Sequence, residues 1–251
     1  MDELLAYPLL TALGMLASAV VWERIHPRDA AKEPERWNAL FVGALIGTCL
    51  GAKLGYAFAE GLWLARAQRG LDAVLLSFQG KTVLGGLLGA YAGVELAKRA
   101  IGHSRPTGDS FALIAPLSLM FGRAGCVLAG CCHGVELPPA WFTLLDAHGV
   151  ARWPAALVEL LFNAALFALV LAWTARRRNS GPSRIDGQLF HLYLIAYGAF
   201  RFVHELLRDT PRWIFGWSGY QLLALMLLAL GVIRFAQRAR TVTAPALLHA
   251  R

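Results

Sequence analysis

The run QLFHLYLIAYGAFRFVHELL, residues 188–207, decides how the rest of the chain is read. It has the length that a helix needs to cross a bilayer core, about 20 mostly apolar residues, yet it carries Arg201 and Glu205. Tyr197, Arg201, Glu205 and the following Arg208 recur at i, i+4, i+8 and i+11, a spacing that places them on one helical face. Ionisable side chains inside a membrane span are costly and mark functional sites by default.

Working outward, six further apolar runs are found at roughly 4–22, 38–59, 82–98, 111–128, 154–174 and 216–234. The run at 82–98 opens with Val83-Leu84-Gly85-Gly86-Leu87-Leu88-Gly89, a glycine pattern suited to close helix packing in lipid. The first run begins with Asp2 and Glu3 instead of a basic segment, and no small-residue cleavage site follows Trp22, so it reads as a span and not as a signal peptide. Composition agrees: 57% of residues are hydrophobic, 16% are charged and mean hydropathy is +0.50. Soluble domains carry about 25% charged residues. Eight Trp, 13 Phe and long Leu/Ala runs exclude disorder, and four cysteines are too few for a disulfide scaffold.

The net charge of +8 does not indicate nucleic acid, because the basic residues sit in short blocks between apolar runs. With the N-terminus outside, the inner connections and C-terminal tail carry 15 Lys/Arg and the outer connections 6, as the positive-inside rule requires. The predicted fold is all-α and integral to the membrane: a single domain over 1–238 with seven transmembrane helices, N-terminus outside, and a cytoplasmic tail at 239–251.

Three cations lie within the runs: Lys53, Arg123 and Arg201. In this topology all three fall in the outer half of the membrane, which predicts one cationic cavity open to the outer leaflet. Arg201 and Glu205 are spaced to pair, leaving Arg208 and the Tyr197 hydroxyl near the interface. A structural account exists, an ion pair locking two helices with an arginine snorkelling to headgroups. The surplus of cations over carboxylates favours an anion, and a guanidinium fork suits phosphate, which in an outer leaflet belongs to phospholipids.

A second cluster is Gly122-Arg123-Ala124-Gly125-Cys126-Val127-Leu128-Ala129-Gly130-Cys131-Cys132-His133-Gly134. Three readings stand. Cys126, Cys131, Cys132 and His133 could hold a metal, although zinc sites usually use C-x₂₋₄-C spacing and adjacent cysteines chelate one ion poorly. A disulfide is allowed on an oxidising side of the membrane. A reactive thiol would be favoured by Arg123 and His133. No metal ligand is expected on this basis.

These residues together resemble the prolipoprotein diacylglyceryl transferase family. The similarity runs through most of the chain in order: Gly51-Ala52-Lys53-Leu54-Gly55-Tyr56; Gly85-Gly86-Leu87-Leu88-Gly89; Gly122-Arg123-x-Gly125 with Gly130; Trp153-Pro154 with Glu159; and Tyr197-Gly198-x-x-Arg201-Phe202-x-x-Glu205-x-x-Arg208-Asp209, then Gly219-x-Gln221. The resemblance implies a bacterial inner-membrane enzyme, a monomer without cofactor, that moves the diacylglyceryl group of phosphatidylglycerol to a prolipoprotein cysteine at the outer face. Carried over by position, Arg123 and Arg201 bind the lipid phosphate, Tyr197 and Glu205 orient them, and Arg208 guards the mouth. Lys53, Tyr56, Gly85, Gly86, Cys126 and Gln221 fall in its substrate-binding segments. Charge building on the leaving phosphate strengthens such contacts in the transition state.

The chain departs from the family pattern at Trp153, where a histidine usually precedes the proline, and at three further places. The family's histidine before the glycine pair is Leu84 here, its asparagine after Gly125 is Cys126, and its polar residue after Gly130 is Cys131. A leucine cannot deprotonate a thiol acceptor. His133 is the expected substitute base, or a thiolate of Cys131 or Cys132 carries a covalent intermediate. Beside the standard lipoprotein reaction stand a paralogue with another acceptor and cysteine chemistry, and a non-catalytic protein binding anionic lipid or metal. A transporter ranks last, since inverted repeats and paired broken helices are not evident. The outer connections 60–81 and 135–153, with Trp63, Phe78, Trp141 and Phe142, are expected to shape acceptor choice or to anchor at the interface.

Overall fold

The computed structural model describes residues 3–25, 33–61, 80–104, 106–177, 183 and 185–248. Trp63, Phe78 and most of the 60–81 connection lie outside the described residues. Each predicted apolar run forms an α-helix: α1 (Glu3–Ile25), α2 (Pro34–Tyr56), α3 (Val83–Ile101), α4 (Gly108–Leu128), α5 (Ala155–Arg177), α6 (Leu189–His204) and α7 (Gly219–Leu248). Four are long and apolar enough to cross a membrane: Pro34–Glu60, Gly108–Leu128, Ala155–Arg177 and Gly219–Ala239. Large apolar side chains point outward along them, among them Leu50, Leu54, Leu161, Leu169 and Met226. That is the surface of a helical membrane protein, for which lipid is the solvent.

Local sequence accounts for the helix ends. Pro34 starts α2, where a missing N–H costs nothing. Gly102, at φ 63°, ends α3 and lets His103 N–H reach the Lys98 carbonyl at 2.9 Å. Ser218 and Gln221 cap α7 reciprocally: Gln221 N–H donates to Ser218 Oγ at 3.1 Å and Ser218 N–H to Gln221 Oε1 at 3.0 Å. Residues 239–248, predicted to be tail, continue α7 to Leu248, since Ala, Arg and Leu are good helix formers.

Glycine sets the α2–α3 crossing. Gly43, Gly47, Gly51 and Gly55 on α2 meet Gly85, Gly89 and Gly93 on α3, backbone to backbone. A Cβ on Gly47 would lie 2.1 Å from the Gly89 carbonyl oxygen, and one on Gly85 would lie 2.2 Å from that of Gly51. Where helices gain no hydrophobic drive from water, such close approach supplies van der Waals contact. The buried core, which includes Leu84, Leu194, Tyr197, Tyr220 and Leu227, lies between α3, α6 and α7.

Outside the helices the described residues form two short hairpins that an all-α reading does not foresee: β1 (Leu144–Leu145) with β2 (Ala151–Arg152), and β3 (Arg212–Ile214) with β4 (Trp217–Ser218). Phe215 and Gly216 both take positive φ, as a two-residue hairpin turn requires. The isolated bridge Gly134–Arg208 lashes the 130–153 connection to the end of α6, and Glu136–Arg152 pairs the connection with itself.

Candidate active site

The site forms where α4, α5 and α6 come together, with the Gly134–Arg208 bridge beside them. At its centre is Glu159 on α5, with no solvent exposure. Tyr197 Oη donates to Glu159 Oε1 at 2.5 Å, and Arg123 Nη2 lies 3.0 Å from the same oxygen. Arg201 Nη1 donates to Glu159 Oε2 at 3.1 Å, while its Nη2 donates to Glu205 Oε2 at 2.9 Å. Thr210 Oγ1 donates to Glu205 Oε1 at 2.8 Å. Asn163, one turn along α5, donates to the Glu159 carbonyl at 2.8 Å and accepts from Tyr193 Oη at 3.2 Å. Such a fully bonded carboxylate is what a buried charge requires.

Arg208 differs from the other two guanidiniums. Its Nη1 is 3.9 Å from Glu159 Oε2 and its Nε is 3.7 Å from Glu205 Oε2, and neither nitrogen has a hydrogen-bond partner among the described residues. Each of the three guanidiniums leaves its buried Nε without a hydrogen-bond partner among the described residues, and Arg208 leaves Nη1 as well, so three cations face two carboxylates with donors to spare.

The sequence-predicted residues Arg123, Tyr197, Arg201, Glu205 and Arg208 do meet, but not on one helical face. α6 ends at His204, Glu205–Leu207 form a 3-10 turn, and Arg208 is extended because its backbone pairs with Gly134. Lys53 and Tyr56 stand half-buried on α2, whose packing partner is α3. Gly85 is occupied by the α2–α3 crossing, and Gly86 faces Thr48 across it. The Gln221 side-chain oxygen is engaged in capping α7. Leu84 is a core residue, 1% exposed.

Two residues escaped the sequence reading. Glu159 was noted only as part of a motif, although its own charge inside an apolar run was the available signal. His204 is buried, accepts from Trp153 Nε1 at 3.1 Å through Nε2 and stacks on Phe200; no signal in the sequence set it apart.

The cysteine cluster adjoins the arginines. Arg123 Nη1 approaches Cys126 Sγ at 3.9 Å, and the Sγ atoms of Cys126, Cys131 and Cys132 all lie within 4.8 Å of one another. Cys126 is buried, whereas Cys131 and Cys132 are partly exposed, and all three are free thiols. In the loop after α4, a hydrogen bond from Cys126, followed by the nearby Arg123 and Arg208, draws the Cys132 thiol down to about 5 against desolvation, while burial pushes Cys131 up. His133 lines the same small cleft with Pro154 and Leu144. In the neighbouring hairpin Asp146 accepts from Arg152 Nε at 2.6 Å and from two backbone N–H groups, which hold its carboxyl down to about 2. A separate cavity of about 750 Å³ lies by the α3–α4 connection and is lined by Lys98, Arg99, Arg234 and Arg238.

A family model described as prolipoprotein diacylglyceryl transferase matches residues 3–237. The phosphatidylglycerol–prolipoprotein diacylglyceryl transferase of Rhodospirillum rubrum is 33% identical over 220 residues, 82% of this chain and 77% of that protein. The Clostridium perfringens enzyme designated transferase 2 is 25% identical over 93% of this chain and 90% of its own length. That of Idiomarina loihiensis is 29% identical over 89% and 85%.

Proposed function

The chain belongs to the prolipoprotein diacylglyceryl transferase family, and from that premise we propose that this membrane transferase uses phosphatidylglycerol as donor and a prolipoprotein cysteine thiol as acceptor. The observation that carries the reading is the unequal charge count around Glu159: three guanidiniums on two carboxylates, with the Nε of all three and Arg208 Nη1 lacking hydrogen-bond partners among the described residues. The lipid phosphate is the anion that completes this set. Arg208 and Arg123 contact it, while Arg201, with both Nη groups engaged, holds Glu159 and Glu205 in place and adds its field. Tyr197 fixes the carboxylate of Glu159.

In the reaction the acceptor sulfur attacks the glyceryl carbon bonded to phosphate oxygen. The C–O bond breaks, its electron pair leaves on the phosphate, and glycerol phosphate is released. Negative charge grows on that oxygen, so donors placed before the reaction contribute most to the rate, and holding carbon and sulfur in line supplies much of the rest. Direct transfer is favoured over an intermediate on Cys131 or Cys132, because a thioether formed there is a poor leaving group. Those thiols and His133 instead flank the incoming acceptor. The excess of Lys/Arg on one set of connections supports seven spans with the N-terminus and the site outside, and membership of the family supports a monomer in the bacterial inner membrane.

The test is mass spectrometry of the full chain in phosphatidylglycerol vesicles with a lipobox peptide. Peptide gaining a diacylglyceryl mass is expected, and Arg208→Ala should reduce its formation by roughly 100-fold or more. Folded protein giving neither adduct nor glycerol phosphate refutes the reading.

A further inference from the structure

The three thiols at and just beyond the C-terminal end of α4 have no part in the ion-pair network, yet the backbone is bent to bring them together. Gly130 at φ 56° and Cys132 at φ 61° reverse the chain, and Cys131 N–H donates to the Cys126 carbonyl at 3.0 Å. A positive φ on a residue other than glycine is a sparsely populated conformation that persists where surrounding structure enforces it. Its effect here is that adjacent cysteines, which in extended chain point apart, aim with Cys126 at one point, all Sγ atoms lying within 4.8 Å. Tetrahedral zinc with Zn–S near 2.3 Å places its sulfurs roughly 3.8 Å apart, so the cluster closes on an ion with shifts of about 1 Å.

We propose that Cys126, Cys131 and Cys132 form a three-thiolate zinc site whose fourth coordination position accepts the substrate thiol. Structural zinc sites are closed by four protein ligands, whereas catalytic ones keep three and leave one position for water or substrate. Three cysteine sulfurs converge here, and two of those residues are exposed, so an incoming thiol can reach the ion. Three thiolates with one Zn²⁺ carry a net charge of −1, which suits a place beside Arg123. Soft sulfur donors select such an ion.

The site replaces a function that the chain lacks, because Leu84 sits in the core where the resemblance expects a base. A thiol that coordinates zinc is deprotonated outright. The acceptor S–H gives its proton to solvent on coordination, and the zinc-bound thiolate sulfur forms the C–S bond with the glyceryl carbon. The C–O bond to phosphate breaks with its electron pair on oxygen, and nothing is oxidised or reduced. This second half rests on the transferase reading above; metal binding itself does not.

The probe is Co²⁺, then Zn²⁺, added to full-length protein in detergent after chelator treatment under a phosphine reductant. One Co²⁺ per chain is expected, with sulfur-to-cobalt charge-transfer bands and the intense visible bands of tetrahedral coordination, displaced by one Zn²⁺. A lipobox peptide should shift the visible bands as a fourth sulfur enters. Cys126→Ala and Cys132→Ala should each lower zinc affinity by roughly 100-fold or more, beyond the loss of a mere outer-shell partner, with helicity checked by circular dichroism. Cys49→Ala, an exposed thiol on α2, should leave binding unchanged. Wild-type protein with four reduced thiols and no charge-transfer band overturns the site, as does isolation with two of the three cysteines joined in a disulfide. Visible bands indifferent to the peptide overturn the acceptor role. Peptide transfer that persists without metal sinks this proposal alone, and metal binding without transfer sinks the lipid reading instead.

Discussion

Replacing Glu159 by glutamine tests whether the site is organised around one buried carboxylate. The substitution preserves volume but removes the charge, and sets an amide N–H₂ against guanidinium donors. Removing one partner of a buried ion pair costs about 3–5 kcal/mol, because the remaining charge stays buried without compensation. Arg201 keeps Glu205 at 2.9 Å, whereas the ion pairs described for Arg123 run only to Glu159. The loss therefore falls mainly on Arg123, and the full range of about 3–5 kcal/mol is expected. For a chain of this size about 2–4 °C of melting temperature goes with each kcal/mol, giving a fall of roughly 6–20 °C. Tryptophan fluorescence during a thermal ramp in detergent reads it. Arg208→Ala is the contrast. Its ion pairs are 3.7–3.9 Å long and both carboxylates keep closer partners in Arg123, Arg201 and Thr210, so it should lose lipid transfer while its melting temperature moves by no more than about 3 °C. A Glu159→Gln protein that melts like wild type refutes the reasoning, and so does an Arg208→Ala protein destabilised as much as Glu159→Gln.

Further outcomes follow from local geometry. Gly89→Leu should abolish folded yield, because its Cβ would lie 2.1 Å from the Gly47 carbonyl oxygen, whereas Gly122→Ala, with nothing within 4 Å, should be tolerated; size-exclusion profiles distinguish them. Gln221→Ala should lower stability by about 1 kcal/mol through loss of the α7 cap, visible as a melting shift of a few degrees. The carboxyl of Asp146 is held at about 2, below its ordinary value of 3.8, so the order it gives the β1–β2 hairpin is present above pH 4 and lost as pH falls through 2. Hydrogen exchange of residues 144–152 at falling pH should show this, and Asp146→Asn should exchange rapidly at every pH.

Some of the site was legible and some was not, for identifiable reasons. Arg201 and Glu205 are four residues apart on a helix, so their pairing follows from helical repeat alone. Arg208 looked like the next member of that face, but a bridge to Gly134, distant in sequence, pulls it into extended chain. Gln221 falls in a substrate-binding segment of the resemblance, and its Ser-x-x-Gln pattern also marks a helix start, which its side chain caps. The glycines of the third run read as packing residues, which the α2–α3 crossing bears out, and the space facing Gly85 is taken by Gly51. Spacing alone makes adjacent cysteines poor chelators, and it is the left-handed conformation of Cys132, which sequence does not reveal, that brings their sulfurs within 4.8 Å of Cys126 Sγ.

What the sequence by itself determined is the membrane class, the places of seven helices and the presence of surplus buried cations. Transfer of side chains from water to lipid is a local property that adds along a run, so it can be read in order along the chain. What only the tertiary structure decided is which charges meet: that Glu159 takes Arg123, Arg201 and Tyr197 together, that Arg208 keeps its donors, and that three sulfurs converge. Electrostatic and coordination energies depend on separation through space, falling away within a few ångströms, and separation between helices is set by packing and not by sequence distance.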